Sequence, residues 1–347
     1  MAQVLTDKGI GDLVTGTLDR LGRLRFNMIA TRLQHYEVMS RMLRKDKLGF
    51  SDGTGIQRRI MVDHSNQARM TGLYSTDVVN IKDVLAVMTI PWRHTEVPYG
   101  YERRELLENR GISRIVDILK VRRIDALIAL SELLETQFWN KPVDSTNDLD
   151  VFGVPYWIVK DNSATAGFIG GNPSGFSAGA GGIDSAVQTR WDNYAGGYTT
   201  VDKTDLIPKL RTAYRKVKFY SPVSLNDFRR GRGDQYRLYC NESTIQDFED
   251  VGEGQNDNLG RDLATMDNVM TFRKNPLIWI PKLDDDSTNP IYGINWSYFQ
   301  IVFLLGDYLR ETDPRLAPNQ HNTWHVWIDL TWNVLCTDRR AQFVFSV

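Results

Sequence analysis

A chain of 347 residues with 41% hydrophobic and 24% charged residues, 9 Trp and 14 Tyr has ordinary globular composition, which excludes a disordered or fibrous protein. Its 42 Lys and Arg against 43 Asp and Glu leave a formal charge of −1, which excludes tight nucleic-acid binding by the electrostatics of the whole surface. Two cysteines, Cys240 and Cys336, exclude a disulfide framework or a cysteine metal site and read as buried thiols in a reducing cytoplasm. Asp7 and Asp12 interrupt the stretch a signal peptide would need, and no apolar run approaches membrane-spanning length, so a soluble intracellular protein is expected.

Residues 1–20 are Gly-rich and irregular. Apolar positions then recur at Leu21, Leu24, Met28, Ile29, Leu33, Tyr36, Met39 and Leu43, a helical spacing. The opposite face carries Arg23, Arg25, Arg32, Arg41, Arg44 and Lys45, a basic stripe that reads as a solvated helix face before it reads as a contact with DNA or a scaffold. The helix signal stops at Lys47, before Leu-Gly-Phe-Ser-Asp-Gly-Thr-Gly. Short apolar stretches at Ile60–Val62 and Val84–Ile90, separated by a polar segment with His64 and Arg69, predict a long charged hairpin within residues 56–98.

Ile112, Ile115, Leu119, Leu127, Leu130, Leu134 and Phe138 keep one helical face over roughly 27 residues, about 40 Å at 1.5 Å per residue. Lys141 and Pro142 end it. From Asn162 to Thr200 the chain turns to Gly, Ser, Ala and Asn, a long loop. A second helix is expected from near Asp202, with Asp205 in its first turn and Leu206, Leu210, Tyr214 and Val217 on its apolar face. A third begins at the capping box Ser243-Thr-Ile-Gln246 and stops near Gly252. Trp324, Val326, Ile328, Leu330, Trp332 and Val334 alternate with polar neighbours and predict a strand, and Thr337–Arg340 is expected to turn it into a final hairpin strand, Ala341 to Val347.

Several patterns imitate chemistry. Gly175-Phe-Ser177-Ala-Gly179 matches the G-x-S-x-G nucleophile elbow, followed by Asp residues and by His321 and His325 in hydrolase order; the elbow needs a buried strand before it and a helix after it, and the flanking residues favour neither. His321 and His325 have zincin spacing, but Asn322 stands where the general base is needed. On a strand the two rings would lie about 13 Å apart, too far for one metal ion. The glycine loop has no Gly-Lys-Ser/Thr, and Arg232-Gly-Asp234 and Asp284–Asp286 read as surface loops, the latter lacking the Gly that a calcium loop requires. The expectation is no catalytic residue, no cofactor and no metal.

The order of elements (N-terminal arm, long hairpin, long helix, Gly-rich mixed region, closing strands) resembles the tailed-bacteriophage major capsid protein over nearly the whole chain. So do Asn-Pro-Leu-Ile-Trp-Ile-Pro-Lys-Leu-Asp at 275–284, Asn-Pro-Ile-Tyr-Gly-Ile-Asn-Trp at 289–296, and the ending from His325 through Asp329 to Arg339-Arg340. The resemblance implies an α+β, Hong Kong 97-type (HK97-like) fold. In it, 1–50 would be the N-terminal arm and helix, 51–98 the extension loop, 99–150 the spine helix of the peripheral domain, 151–315 mainly the axial domain, and 316–347 the closing peripheral strands. It also implies a virion shell of pentamers and hexamers, assembled in the host bacterial cytoplasm, around double-stranded DNA that it touches weakly and non-specifically. Its partners would be itself and portal, scaffolding and decoration proteins, with no membrane.

Some family members weld neighbours by a Lys–Asn isopeptide bond, and Lys82 is the only lysine in the predicted extension loop. No long amphipathic leader is evident, so any scaffold is expected to be a separate protein. Arg58, Arg59, Arg69, Lys82 and Arg93 are the candidate inter-subunit contacts, since guanidinium groups suit carboxylates across an interface. An encapsulin-type nanocompartment shell, which encloses enzymes rather than a genome, is the structural alternative. A serine hydrolase using Ser177 is the alternative of another class.

Overall fold

In a computed structural model of the chain, the described residues are 35–42, 48–51, 53–64, 68–73, 83–108, 112–218, 235–253 and 271–347. The helices are α1 (Glu37–Met42), α2 (Arg103–Glu108), α3 (Ile112–Phe138), α4 (Val154–Trp157), α5 (Leu206–Val217) and α6 (Glu242–Glu253). The strands are β1 (Leu48–Phe50), β2 (Gly55–Met61), β3 (Leu85–Pro91), β4 (Arg93–Glu102), β5 (Gly167–Gly170), β6 (Asn193–Gly197), β7 (Tyr236–Cys240), β8 (Thr271–Phe272), β9 (Asn275–Trp279), β10 (Ile291–Asn295), β11 (Phe299–Leu304), β12 (Arg310–Glu311), β13 (Arg315–Leu316), β14 (Thr323–Cys336) and β15 (Phe343–Ser346). The chain divides into two compact units, one from the described parts of Met1–Asp52 with Arg93–Thr136 and Val302–Trp332, the other from Gly53–Trp92, Gln137–Ile301 and Asn333–Val347. Among the described residues no helix is long and apolar enough to cross a membrane.

In the first unit β4 runs antiparallel to β14 from Arg93↔Trp332 to Glu102↔Thr323, and β1 runs parallel to β11. Val326, Ile328 and Leu330 are fully buried, so the period of two legible in the sequence is the burial period of β14 up to Leu330. Leu119, Leu127, Leu130 and Leu134 form the buried stripe of α3 in this unit. Its polar members are matched. Arg123 Nε donates to Glu311 Oε1 at 2.7 Å, Arg122 grips both oxygens of Glu105 at 2.6 and 2.7 Å, and the buried carboxylate of Glu135 accepts the Val38 N–H in the first turn of α1 at 3.0 Å.

The second unit is built on a seven-stranded sheet in the order β5-β6-β15-β10-β7-β9-β8. One face is covered by α5 and α6. Leu206, Leu210, Tyr214 and Phe248 pack there with Leu238, Phe343 and Phe345. The other face carries an aromatic layer in which Trp139 lies 5.1 Å from Tyr239 and 6.2 Å from Tyr292, and Phe138 stacks on Trp296 at 5.9 Å. Where α3 ends, Gly153 sits so close to the carbonyls of Gln137, Phe138 and Asn140 that a Cβ would lie 2.1–2.8 Å from them; no other residue fits against that helix end. Cys240 and Cys336 are buried free thiols, and burial pushes both well above the ordinary thiol range.

Arg339 ties this unit together. Its guanidinium is fully buried, with Nε donating to Trp157 O (2.8 Å), Nη1 to Trp191 O (2.7 Å), and Nη2 to Gly170 O (3.1 Å), Gly171 O (2.7 Å) and Asn193 Oδ1 (3.2 Å). Burial lowers its pKa to about 10, which leaves it a cation at neutral pH.

The 27-residue helix stands where its periodicity puts it. Five expectations differ. The last strand does not return on β14: the single 3-10 turn Arg339–Ala341, fixed by the buried guanidinium, carries β15 into the other sheet, parallel to β6 and antiparallel to β10. The early hairpin ends at Pro91, which has no N–H to extend the ladder, and the next residues form β4 of the other sheet. The second helix begins at Leu206, because Asp205 is spent upstream accepting the Thr199 and Thr200 amides at 2.7 and 3.2 Å. The third is capped by Asn241, whose Oδ1 accepts the Thr244 N–H at 3.3 Å, two residues ahead of Ser243. The Gly-rich stretch is a loop through its middle but holds β5 and β6 at its ends. The arm and most of its basic stripe (Arg23, Arg25, Arg32, Arg44, Lys45) lie outside the described residues, and Arg41 pairs with Glu37 at 2.7 Å.

Replacing Arg339 takes the donor from four backbone carbonyls and leaves Asn193 Oδ1 with the Val159 N–H alone. Arg339→Met should therefore lower unfolding free energy by about 3–5 kcal/mol, and Arg339→Lys, which keeps the charge but supplies only three donors, should recover less than half of that loss. Urea unfolding of the unassembled subunit measures both.

Candidate functional site

The described residues gather no group of three or more His, Cys, Asp or Glu side chains able to hold a metal ion. The site to be explained is a surface. β2 and β3 pair antiparallel from Gly55↔Pro91 to Met61↔Leu85, and the Val62 N–H to Val84 O bond at 3.1 Å extends the ladder. Because successive side chains alternate, Ile56, Met88 and Ile90 fall on one face and are buried, while Gln57, Arg59, Met61, Leu85, Val87 and Thr89 fall on the other and are exposed. Met61, Leu85 and Val87 are 45%, 52% and 52% exposed, and Met70 and Leu73 farther along are more so. A ribbon of two strands with large apolar groups facing water is marginal alone.

The inner face is held by the segment between β5 and β6. The Thr89 N–H donates to Gly181 O at 3.0 Å, and the Gly181 N–H donates to the Tyr156 hydroxyl at 2.8 Å. Gly181 has φ +67°, and a Cβ there would lie 2.5 Å from Met88 Cγ, so the close approach of loop to ribbon needs glycine twice over. Arg190 from the same segment reaches Asp63 Oδ1 at 3.5 Å and also contacts the His64 ring. At the base, Trp92 Nε1 donates to Gly53 O at 2.9 Å, and the buried amide of Asn333 donates to Pro91 O at 2.7 Å while accepting the Phe152 N–H at 3.1 Å.

Of the five predicted contact residues, Arg58 and Arg59 lie exposed on β2 and Arg69 lies exposed beyond it. Arg93 is only 6% exposed, because its strand belongs to the β14 sheet, so it offers no free guanidinium. Lys82 lies outside the described residues, as does Arg232-Gly-Asp234.

The catalytic look-alikes resolve into structure. Ser177 is exposed in a turn with further turns on both sides, so the strand-turn-helix of a nucleophile elbow is not what these residues form. His325 is on β14, whereas His321 lies in the turn before it rather than on the strand. The acidic triplet is divided among separate tasks. Asp284 accepts the Glu242 N–H at 2.9 Å and Trp279 Nε1, Asp285 pairs with Lys282 at 2.7 Å, and Asp286 pairs with Lys160 at 2.6 Å. The glycine segment's task as the seat of the ribbon was missed; its signal was the cluster of glycines between two turns, which favours close backbone approach.

No protein-family model matches the sequence, and no curated protein matches it. Solved structures do. The chain aligns with the capsid asymmetric unit of cyanophage A-1(L) at a TM-score of 0.62 and 12% identity, over 93% of this chain and 96% of that one. The chain has the HK97-like phage capsid fold. The capsid of Myoviridae phage XM1 aligns at a TM-score of 0.54 and 9% identity, over 100% and 99% of the two chains. A chain of Gordonia phage Cozz aligns at 0.51 and 11%, over 100% and 96%. The α+β class and the resemblance read from the order of elements are thus those of the capsid fold along its full length.

If Gly181 is what lets the loop seat the ribbon, Gly181→Val should cost about 2–3 kcal/mol and expose the Thr89 amide to rapid hydrogen exchange, whereas Arg190→Ala, which removes only a partly exposed ion pair, should cost at most about 1 kcal/mol. Unchanged exchange at Thr89 in the valine variant would show that the ribbon is seated elsewhere.

Proposed function

We propose that this chain is the major capsid protein of a tailed bacteriophage, a shell subunit that self-assembles into pentamers and hexamers of an icosahedral head. The observation that carries the reading is the agreement of fold with phage capsid chains from end to end, joined to a ribbon that leaves an apolar face uncovered. In this reading the head encloses double-stranded DNA through weak, non-specific contacts. It works with portal, scaffolding and decoration proteins, and the protein resides in the virion after assembly in the host cytoplasm. The β2–β3 ribbon is the extension loop, α3 the spine of the peripheral domain, and the seven-stranded sheet with α5 and α6 the axial domain. The capsid alignments favour a genome-enclosing shell over an enzyme-enclosing one, and the turns around Ser177 leave the hydrolase reading without a nucleophile elbow.

The physical logic is division of labour. Ile56, Met88 and Ile90 hold the base of the ribbon within its own subunit, and the outer face with Arg59, Met61, Leu85 and Val87, together with the exposed Arg58 and Arg69, is turned to a neighbour. Heterologous contacts between identical chains close into rings, so one subunit supplies both fivefold and sixfold capsomers. Individual Arg→Ala changes at these three positions would be mild, since exposed pairs contribute about 0–1 kcal/mol each.

Sizing chromatography and electron microscopy of the purified protein should find pentamers, hexamers or closed shells. A variant in which residues 64–83 are replaced by a short Gly/Ser turn, which spares the buried Met88 and Ile90, should remain soluble and melt cooperatively yet form no closed shells. A wild-type protein that stays a monodisperse monomer under all salt, crowding and scaffold conditions would defeat the reading.

A further inference from the structure

α5 and α6 cover the same face of the seven-stranded sheet, yet their outer faces carry opposite charge. On α5 the exposed residues Arg211 and Arg215 lie one turn apart at i and i+4, on one stripe, and the exposed Lys218 follows just past the helix end. On α6 Glu242, Asp247, Glu249 and Asp250 are exposed. The sorting extends along the sequence: between residues 209 and 232 there are eight Lys or Arg and one Asp, and between 242 and 267 eight Asp or Glu and one Arg. In a chain of formal charge −1, solvation alone is served equally well by interspersed signs. The α5 ion pair Lys209–Asp205, 2.5 Å, is made at the start of its own helix, and Arg215 Nε donates to Arg211 O within it, so these bonds do not turn the basic stripe toward α6.

We propose that these are the two halves of one heterologous interface, in which the basic face of α5 in one copy docks on the acidic face of α6 in the next copy of this chain. The occupant is a second copy because the chain itself carries the complement of each face. A polyanion such as nucleic acid would use the basic face and leave the acidic one without a role. Two different patches meeting between identical chains propagate in one direction and close into rings. The inference rests on the self-assembly reading and names which surfaces meet.

Charge exchange tests it. Arg211→Glu with Arg215→Glu reverses the basic face, and Glu249→Lys with Asp250→Lys reverses the acidic one. Either pair alone sets like charges at every junction and should reduce the assembled fraction, read by sedimentation and microscopy, by about tenfold or more. An equimolar mixture of the two variants should assemble again, because each reversed face finds its complement on the other variant. Strict alternation closes only even-membered rings, so the mixture should give hexamers without pentamers. A chain with all four substitutions should regain both. The recovered mixture also demonstrates that each variant is folded. Wild-type assembly should weaken as the screening length falls from about 10 Å at 0.1 M salt to about 3 Å at 1 M.

Single-face variants that assemble like wild type would overturn the interface while leaving self-assembly intact. So would a basic-face variant that loses only duplex-DNA binding in a gel shift while the acidic-face variant assembles normally, since that result makes α5 a nucleic-acid surface. A wild-type protein that never assembles would bring down the self-assembly reading itself, and the same sedimentation run separates the cases.

Discussion

The second unit depends on how one buried cation satisfies backbone groups that no ladder reaches. Gly170 and Gly171 mark the end of β5, Trp157 the end of α4, and Trp191 the approach to β6; their carbonyls would be left unpaired inside the protein, at a cost comparable to a lost hydrogen bond each. Arg339 gathers all four and the side-chain oxygen of Asn193. A guanidinium suits the task because its donors point outward in one plane, and it stays charged even where burial depresses its pKa. The same residue opens the single turn that inserts β15 between β6 and β10. Polar satisfaction and strand placement are therefore one event, and the segment that seats the ribbon is fixed by it as well.

That coupling explains what the sequence could and could not disclose. Where the signal is local and long, it was legible: α3 announced itself by apolar residues at helical spacing over 27 positions, and β14 by strict alternation. The destination of the last strand was not, because nearness in sequence argues for a hairpin on β14 and only the distant acceptors of Arg339 decide otherwise. β6 was hidden for another reason. Its residues Asn193–Gly197 are buried on both faces and contain two glycines, so they carry neither alternation nor β-branched residues. Among the site residues, Arg58, Arg59 and Arg69 were legible as exposed charges, while the burial of Arg93 depends on ten cross-strand partners more than two hundred residues away.

The motifs that imitate catalysis were absorbed in the same way. The elbow-like Ser177 belongs to a loop whose glycines serve backbone approach, and three consecutive aspartates that suggest a cation loop instead accept a backbone amide, a lysine and another lysine. Short patterns specify chemistry only when the surrounding elements hold the side chains at a common point, and here each is drawn to a different one.

The ribbon has a cost beyond its uncovered face. A sheet of two strands has no interior strand; the Thr89 amide on the outer edge of β3 is taken by Gly181 O, but β2 presents a row of amide and carbonyl groups to any extended chain that drifts past. Wherever many copies are made at once, that is a template for runaway stacking between chains. Arg58 and Arg59, adjacent on β2 and directed to opposite faces, put like charge against like charge whenever two such edges approach in register. Under the shell-subunit reading, their service falls in the interval between synthesis and assembly, as gatekeepers against fibrous aggregation of the free pool.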